Sequence, residues 1–243
     1  MEPVLILAIL QARMSSTRLP GKVLRPLCGG PMILRQIERV RRSAGIGRLV
    51  VATSVDKTDD VLVDVLEGAG VEVYRGDLDD VLSRYIGALQ AKGPAEHVLR
   101  LTGDCPLIDW QVIDWVIDRH LATGVDYTAN TWGRRSFPKG LDADVVKSQV
   151  LMDAAARATD PYEREHVLPY IYRHPERYSL QGCEQEADEG ELRWTVDLPE
   201  DLAFVSEVYE ALYPETPAFT SEDVRRLLRS RPELANAGSM RRI

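Results

Sequence analysis

Residues 4–22 carry the sequence VLILAILQARMSSTRLPGK, in which an uninterrupted apolar run precedes a polar loop. A short continuous apolar run is typical of a parallel strand that is buried on both faces of its sheet. The loop, residues 11–22, combines hydroxyl groups, backbone amides, a turn at Pro20-Gly21 and fixed cations. A loop of this composition at the carboxyl end of a buried strand favours the binding of a polyphosphate.

The charges around this loop support that interpretation. Residues 3–37 contain no Asp or Glu, although the whole chain has a formal net charge of -8. The loop cations are Arg13, Arg18 and Lys22. Each guanidinium can bind a phosphate through two parallel hydrogen bonds, while the ammonium acts as a mobile point charge. A solvated basic loop is the alternative, and the acid-free window favours phosphate binding over it.

Strand-like and helix-like segments alternate over the first 125 residues. The apolar patterns predict strands at residues 4–10, 48–53, 71–74 and 97–101, and helices at residues 31–43, 58–67, 79–91 and 109–121. This alternation with short links is typical of an α/β fold built on a single doubly wound, mostly parallel sheet.

The pattern is less regular after residue 125. It predicts strands at residues 126–129, 141–145, 178–182 and 191–196, and helices at residues 147–158, 162–174, 200–212 and 221–229. No stretch rich in Pro, Gly or Ser divides the chain, so we expect a single domain over residues 1–243. Within it, residues 126–185 are expected to form an excursion that serves substrate binding or dimerisation.

Composition narrows the function classes. The apolar content is ordinary for a soluble protein, and no stretch approaches the ~18 consecutive apolar residues needed to cross a bilayer. Cys28, Cys105 and Cys183 are widely spaced, which favours reduced thiols in the cytoplasm over a zinc site or a disulfide scaffold. The acidic balance disfavours general nucleic-acid binding. The loop also lacks both the Gly-x-Gly-x-x-Gly fingerprint of dinucleotide binding and the Walker-type phosphate loop.

Two aspartates follow predicted strands and point to a metal ion. Asp104 lies in TGDCP at residues 102–106, and Asp197 lies in RWTVDLPED at residues 193–201. Open parallel sheets bind ligands beyond the carboxyl ends of their strands. Either aspartate alone could simply cap the next helix. Together with a polyphosphate loop, they suggest a Mg²⁺ site completed by water and phosphate oxygens.

These segments resemble the cytidylyltransferases of sugar-acid activation, such as the CMP-3-deoxy-manno-octulosonate and acylneuraminate enzymes. The resemblance rests on residues 11–22, 102–106 and 194–201, and it extends from residue 5 to about residue 210. The spore coat polysaccharide biosynthesis branch is the most similar, as suggested by VYRG at 73–76, DDVLSRY at 79–85 and REHV at 164–167. The resemblance implies a fold like that of the nucleotide-diphospho-sugar transferases.

The resemblance also implies roles for individual residues. It puts the nucleotide against Leu10, Gln11, Ala12, Arg13, Met14, Ser15 and Ser16. Arg13, Arg18 and Lys22 would hold the triphosphate, and Asp104 and Asp197 would hold Mg²⁺. Four more nucleotide-binding candidates lie at the ends of other predicted strands: Thr53, Arg75, Thr102 and Gly103. Arg75 and Arg84 could face either the nucleotide or the acceptor.

The acceptor is less well defined by the sequence. The resemblance suggests acceptor contacts at Asn130, Lys139 and Asp142, and the helix predicted at residues 162–174 adds Arg164 and His166 as candidates. In the sugar-acid enzymes, the segment around residues 102–104 commonly opens with glutamine and closes with Glu-Pro. Here it closes with Cys105-Pro106, which leaves the base specificity and the acceptor open.

The expected function is transfer of CMP from CTP to an acidic sugar or similar anionic acceptor, with release of pyrophosphate, in surface polysaccharide or glycoconjugate biosynthesis. Arg13, Arg18, Lys22 and Asp104 would carry the catalysis, with Mg²⁺ as cofactor. One alternative is transfer to a sugar 1-phosphate or a phosphonate, and another is a non-catalytic nucleotide-binding subunit. A homodimer is an expectation from the resemblance alone.

Overall fold

The computed structural model describes residues 5–239, and Val4, the first residue of the predicted first strand, lies outside them. In chain order the strands are β1 Ile6–Gln11, β2 Pro26–Leu27, β3 Gly30–Pro31, β4 Arg48–Ser54, β5 Glu72–Gly76, β6 His97–Thr102, β7 Tyr127–Ala129, β8 Asp144–Lys147 and β9 Leu180–Gly182. The α-helices are α1 Met32–Val40, α2 Asp60–Gly68, α3 Val81–Lys92, α4 Trp110–Thr123, α5 Ser148–Arg157, α6 Pro161–His166, α7 Pro169–Tyr172, α8 Pro199–Leu212, α9 Ser221–Ser230 and α10 Pro232–Ser239.

Seven strands form one sheet in the order β5-β4-β1-β6-β8-β7-β9. The four strands from β5 to β6 are parallel, β8 is antiparallel to both β6 and β7, and β9 is parallel to β7. The doubly wound, mostly parallel sheet predicted from the sequence is therefore confirmed. Strands β2 and β3 form a separate antiparallel ribbon.

Strand β1 is apolar from Ile6 to Leu10 because both of its faces are covered there. Ala8 and Leu10 pack in one core layer together with Ile33 of α1. Leu7 and Ile9 point to the opposite layer, which contains Leu82 and Tyr85 of α3 and Leu151 of α5. Helices on both faces of a parallel sheet account for the continuous apolar run at residues 4–10.

The predicted strand at residues 191–196 is wrong. The segment makes only an isolated bridge between Lys139 and Arg193. The backbone N–H of Val196 and the hydroxyl of Thr195 instead donate to the carbonyl oxygen of Asp104, at 2.8 and 3.0 Å. These bonds turn the segment toward the end of β6 and replace the ladder that a strand would require.

The helix predicted at residues 162–174 is also wrong as a single element. It is divided into α6 and α7 because Val167 adopts a positive φ of 74°, a conformation that β-branched residues rarely take. Pro169 then begins the next helix, where its missing N–H costs nothing. The strand predicted at residues 141–145 begins later, at Asp144.

Residues 126–185 contribute β7, β8 and β9 to the same sheet, together with α5, α6 and α7. Across residues 5–239, no helix combines the length and apolar character needed to span a bilayer.

Candidate active site

A cavity of about 330 Å³ lies where β1 and β6 end. The basic loop after β1 and the turn after β6 form much of its wall. Twelve of the residues predicted from the sequence line it: Gln11, Ala12, Arg13, Ser15, Ser16, Arg18, Lys22, Thr102, Gly103, Asp104, His166 and Asp197. The structure thus brings the cations and both aspartates to one place.

The basic loop folds back on itself through its backbone. The carbonyl oxygen of Met14 accepts hydrogen bonds from Ser16 N at 2.9 Å and Gly21 N at 3.0 Å. Gly21 has φ of 66°, a left-handed conformation that glycine adopts without steric cost. A short 3₁₀ helix, Lys22–Leu24, follows and returns Lys22 to the cavity.

A buried carboxylate, Asp59, anchors this loop. Its Oδ1 accepts a hydrogen bond from Met14 N at 2.7 Å, while its Oδ2 accepts from Thr53 Oγ1 at 2.9 Å and from Ser54 N at 3.0 Å. Asp59 has no exposed surface. The sequence offered only a helix start at residues 58–60, and a capping aspartate and an anchoring aspartate look alike at that level.

Lys22 joins the two aspartates. Its Nζ lies 3.1 Å from Asp104 Oδ2, 2.9 Å from Asp197 Oδ1 and 2.8 Å from the carbonyl oxygen of Val196. Gly103 permits the close approach of β6 to the loop, since a Cβ there would lie 2.9 Å from the Cβ of Ala12. Two carboxylates therefore share one ammonium at the floor of the cavity.

The carboxylate of Asp197 faces the cavity because another residue caps the following helix. Asp201 Oδ2 accepts from the backbone N–H groups of Asp197 and Leu198, at 2.9 and 2.8 Å. Asp197 itself pairs with Arg18 at 2.9 Å and, more closely, with Arg193. Arg193 was not a candidate from the sequence, where its position in a predicted strand gave no sign of this contact.

Electrostatics keep the cluster charged. Burial alone would lower the pKa of Lys22, but the negative charges of Asp104 and Asp197 outweigh it and raise that pKa. Burial opposes ionisation of both aspartates as well, yet Lys22 holds the pKa of each below its ordinary value. At neutral pH the cluster contains an ammonium and two carboxylates.

The donor set suits a hard divalent cation. Asp104 and Asp197 supply carboxylate oxygens, and both already converge on one cation. No set of three His, Cys, Asp or Glu side chains in residues 5–239 is arranged to bind a metal without other ligands. Mg²⁺ commonly takes one or two protein carboxylates and completes its shell with water and phosphate oxygens, so these residues fit it.

Four nucleotide-binding candidates do not line the cavity. Leu10 is buried in the core, and Met14 packs against that core. Thr53 is buried and donates to Asp59. Arg75 donates to the carbonyl oxygens of Ser54 and Asp56 and pairs with Asp60 at 2.7 Å. Leu10 and Met14 were predicted from the family resemblance and Thr53 and Arg75 from their position near strand ends, but all four side chains are used within the fold.

Arg84, which the sequence left open between nucleotide and acceptor, does line the cavity. Its side chain is buried, and its Nη1 donates to the carbonyl oxygen of Asp77 at 2.6 Å. None of the carboxylates in residues 5–239 lies within ion-pair distance of its guanidinium.

A second cavity, of about 400 Å³, shares His166 with the first. Its lining includes aromatic side chains, among them Trp132 and Tyr172 with ring centroids 5.5 Å apart. It also contains two ion pairs, Arg100 with Asp144 and Arg135 with Asp142.

Two of the five acceptor candidates, Asp142 and His166, line this second cavity. The other three do not line it. Asn130 is buried and bonds to the backbone of Leu141 and Ala143. Arg164 pairs with Asp80, and the backbone of Lys139 bonds to Leu192 and Trp194. The polar groups of Asn130 and Arg164 are therefore used within the fold, whereas the side chain of Lys139 is exposed and lines neither cavity.

The fold and the first cavity define the class of protein: a nucleotidyltransferase with a basic loop after its first strand and two aspartates facing it. The chain matches the cytidylyltransferase family over residues 7–221 and belongs to it. It is therefore a cytidylyltransferase enzyme, as the resemblance had implied.

Individual relatives agree with this assignment. The spore coat polysaccharide biosynthesis protein SpsF of Bacillus subtilis is 36% identical over 237 residues, covering 95% of this chain and 96% of SpsF. A solved cytidylyltransferase from Leptospira borgpetersenii is 28% identical, with a TM-score of 0.91 and 99% of both chains covered. A CMP:2-keto-3-deoxy-manno-octonic acid synthetase solved with CTP shares the fold at 17% identity and a TM-score of 0.64, over 85% of this chain and 99% of that one.

Proposed function

We propose that this enzyme transfers CMP from CTP to an acidic sugar or a similar anionic acceptor, releases pyrophosphate and depends on Mg²⁺. The observation that carries the proposal is the meeting of Lys22 with Asp104 and Asp197 in a cavity walled by the basic loop. The relationship to SpsF suggests surface polysaccharide or glycoconjugate biosynthesis as its setting.

In the proposed reaction, an oxygen of the acceptor attacks the α-phosphorus of CTP. A new phosphorus–oxygen bond forms as the bond between the α-phosphorus and the bridging oxygen of the pyrophosphate breaks, and the acceptor hydroxyl releases its proton to solvent. Charge accumulates on the departing pyrophosphate, and Arg13, Arg18 and Lys22 are the cations available to oppose it. Positioning and charge neutralisation of this kind require no covalent enzyme intermediate.

Asp104 and Asp197 would hold the divalent ion. When bound, Mg²⁺ would withdraw charge from the phosphate oxygens that complete its shell. Asp201 and Arg193 keep Asp197 directed at the cavity, while the hydroxyl of Thr195 and the backbone N–H of Val196 hold it beside Asp104.

The second cavity is the proposed acceptor site. His166 lines both cavities and so lies between the two substrates in this proposal. Arg100 and Arg135 are each paired with an aspartate, but the Nε of each has no hydrogen-bond partner and is the donor proposed for an acidic group. Trp132 and Tyr172 offer flat surfaces for the apolar face of a sugar ring. A sugar 1-phosphate or phosphonate would use the same cations.

The test is pyrophosphate release from CTP and Mg²⁺ with a panel of sugar acids, sugar 1-phosphates and phosphonates. We expect release with a sugar acid, and a loss of about a hundredfold in kcat for Asp104→Asn, as is found when one electrostatic contact to the transition state is removed. Asp64→Asn, at an exposed carboxylate on α2, is the matched control. CTP binding without pyrophosphate release across the whole panel would indicate a non-catalytic subunit instead.

We also infer a cytoplasmic homodimer. The unpaired Cys28, Cys105 and Cys183 support a reducing compartment. Met152 and Tyr162, within residues 126–185, are large apolar side chains left exposed on the single chain, which supports association through that region. Light scattering of the purified protein tests the assembly, and a monomer at micromolar concentration would contradict it.

A further inference from the structure

Arg84 is a buried cation without a direct ion-pair partner among the described residues. Only 2% of its surface is exposed, and its Nε is buried with no hydrogen-bond partner. Nη1 is held by the carbonyl oxygens of Asp77 and Leu78, at 2.6 and 3.4 Å. No carboxylate in the described part of the chain pairs with it. A buried charge that is neither paired nor fully hydrogen-bonded destabilises a protein and calls for a functional explanation.

A glycine next to Arg84 leaves space for its side chain. Arg84 sits in the first turn of α3, and its stem packs against Gly76 at the end of β5. A Cβ at Gly76 would lie 2.9 Å from Arg84 Cγ, so any larger residue there would displace the arginine. The guanidinium is thus directed to the nucleotide cavity by the backbone around it.

A second buried arginine, Arg39, also lacks an ion pair within residues 5–239, and its Nη1 and Nη2 have no hydrogen-bond partner there. Its Nε donates to the carbonyl oxygen of Ile108, and its guanidinium lies 4.1 Å from the ring centroid of Phe219. The difference is one of place, because Arg84 lines the cavity and Arg39 does not.

Burial lowers the pKa of both Arg39 and Arg84. Arg13 and Arg84 line the same cavity. The positive charge of Arg13 lowers the pKa of Arg84 further, although the negative charges of Asp59 and Asp77 act in the opposite direction.

We propose that Arg84 binds a phosphate oxygen of the nucleotide together with Arg13. An oxyanion between the two guanidinium groups would relieve their repulsion and supply Arg84 with a direct ion-pair partner. This inference rests on the proposed function, because the nucleotide is the anion that the cavity is proposed to hold. It adds a cation from α3 to those of the basic loop.

The experiment compares the wild type with Arg84→Met, Arg84→Lys and Arg39→Met. Titration calorimetry measures the Kd for CTP with Mg²⁺ and no acceptor, and thermal unfolding measures the ligand-free proteins. We expect Arg84→Met to raise the Kd at least tenfold without lowering the unfolding temperature, and Arg84→Lys to recover part of the affinity. Arg39→Met, the matched control, should bind CTP within twofold of the wild type, whatever its stability.

Each result decides the role of Arg84. Wild-type affinity in Arg84→Met would overturn the inference and leave an acidic group of the acceptor as its partner. If Arg84→Met fails to fold, Arg84→Lys decides, because wild-type affinity in that variant would show that the fork of the guanidinium is not used. UTP distinguishes a phosphate contact from a base contact, because it carries the same triphosphate as CTP and a different base. An equal loss of affinity for CTP and UTP in Arg84→Met supports a phosphate contact. A loss of affinity confined to CTP overturns the inference in favour of a base contact.

The outcome also separates this inference from the proposed function. A wild-type protein that bound ATP, GTP or UTP but not CTP would contradict cytidylyl transfer, and the same variants measured with that triphosphate would still decide Arg84. A wild-type protein that bound no triphosphate would overturn both.

Discussion

Lys22 places one ammonium between two carboxylates that would otherwise repel each other. Its Nζ contacts Asp104 and Asp197 at 3.1 and 2.9 Å. The site is therefore preorganised without a ligand, because the ammonium holds the carboxylates at the positions from which they would bind a divalent ion. The same ammonium lies beside the basic loop and is available to a phosphate once the ion takes over the carboxylates.

Substitution of Lys22 tests both roles of its ammonium, which are to hold the two carboxylates and to bind a phosphate. We expect Lys22→Met to lower kcat about a hundredfold, since one contact to the leaving group is lost. The free energy of unfolding should fall by about 2 kcal/mol, less than the usual cost of breaking a fully buried pair because Asp104 is partly exposed. Mg²⁺ should raise the unfolding temperature of Lys22→Met more than that of the wild type, because the ion replaces the lost ammonium.

Lys57→Met, at an exposed lysine outside the cavity, is the control for the loss of a positive charge. An identical effect of Mg²⁺ on wild type and Lys22→Met, measured by differential scanning calorimetry, would argue against a metal site at these carboxylates.

Asp59 acts on the nucleotide through the backbone of the basic loop. Asp59→Asn should weaken the bond to Met14 N, since a neutral amide oxygen accepts less strongly than a carboxylate. We expect faster amide hydrogen exchange at Met14 and a KM for CTP raised about tenfold, equivalent to about 1.4 kcal/mol.

Ser54→Ala is the matched control for this prediction. It removes a different hydrogen bond to the same carboxylate and leaves the bond to Met14 in place. Equal exchange at Met14 in Asp59→Asn and Ser54→Ala would mean that the carboxylate merely stabilises the end of β4.

Sequence alone could identify the groups with formal charge in the cavity but not those that act through hydrogen bonds. Arg13, Arg18 and Lys22 were visible because the surrounding window contains no acid. Asp59 and Arg193 were missed because the residue type is the same whether a charged side chain anchors another segment, caps a helix or faces solvent. Only the three-dimensional structure gives the partner that distinguishes them.

At the scale of elements, β6, α4 and β7 are joined by a pair of histidines, of which His120 is buried and His97 is partly buried. His120 Nε2 lies 2.9 Å from His97 Nδ1, and His120 Nδ1 lies 2.9 Å from Thr128 Oγ1. Burial, with the nearby His97 and Lys147, lowers the pKa of His120 to about 4, and burial also lowers that of His97. Asp126 acts in the opposite direction on His120 but does not prevail.

This pair predicts a loss of stability in mild acid. The unfolded chain takes up a proton at His120 near its ordinary pKa of 6.5, whereas the folded chain resists protonation until about pH 4. Stability should therefore be complete above pH 6.5 and fall as the pH drops from 6.5 toward 4, by about 3 kcal/mol. The free energy of unfolding, measured by urea titration at several pH values in this range, should change less steeply with pH for His120→Gln than for the wild type.

His174→Gln is the control, because His174 lies outside the pair and bonds to the carbonyl oxygen of Tyr170. If the free energy of unfolding depends on pH as strongly in His120→Gln as in the wild type, other groups cause the acid sensitivity.

Secondary-structure elements were predicted well from the sequence in the part of the chain whose backbone forms the parallel strands of the sheet. The parallel strands β1, β4, β5 and β6 follow their apolar runs because helices cover both faces. Residues 191–196 alternate between apolar and polar side chains as a strand does, yet their backbone bonds to Lys139 and Asp104 and forms no ladder. Periodicity reports which side chains are buried, and it does not report where the backbone donors go.

At the scale of the whole molecule, the site is assembled from distant parts of the chain. Lys22 is separated by 82 positions from Asp104 and by 175 from Asp197. The contact with Asp197 joins the loop after β1 to the segment that precedes α8. Any ligand that binds this cluster binds only the folded state, so its binding free energy adds to the stability of the entire fold.

The last prediction follows from this linkage. CTP with Mg²⁺, at a free concentration one hundred times the Kd, should raise the free energy of unfolding by about 2.7 kcal/mol in urea titrations. In Asp197→Asn, CTP alone should still stabilise the fold through the basic loop, while the additional increment from Mg²⁺ should disappear. A Mg²⁺ increment that survives in Asp197→Asn would require other ligands for the ion, and the two strand-end aspartates would then serve only to hold Lys22.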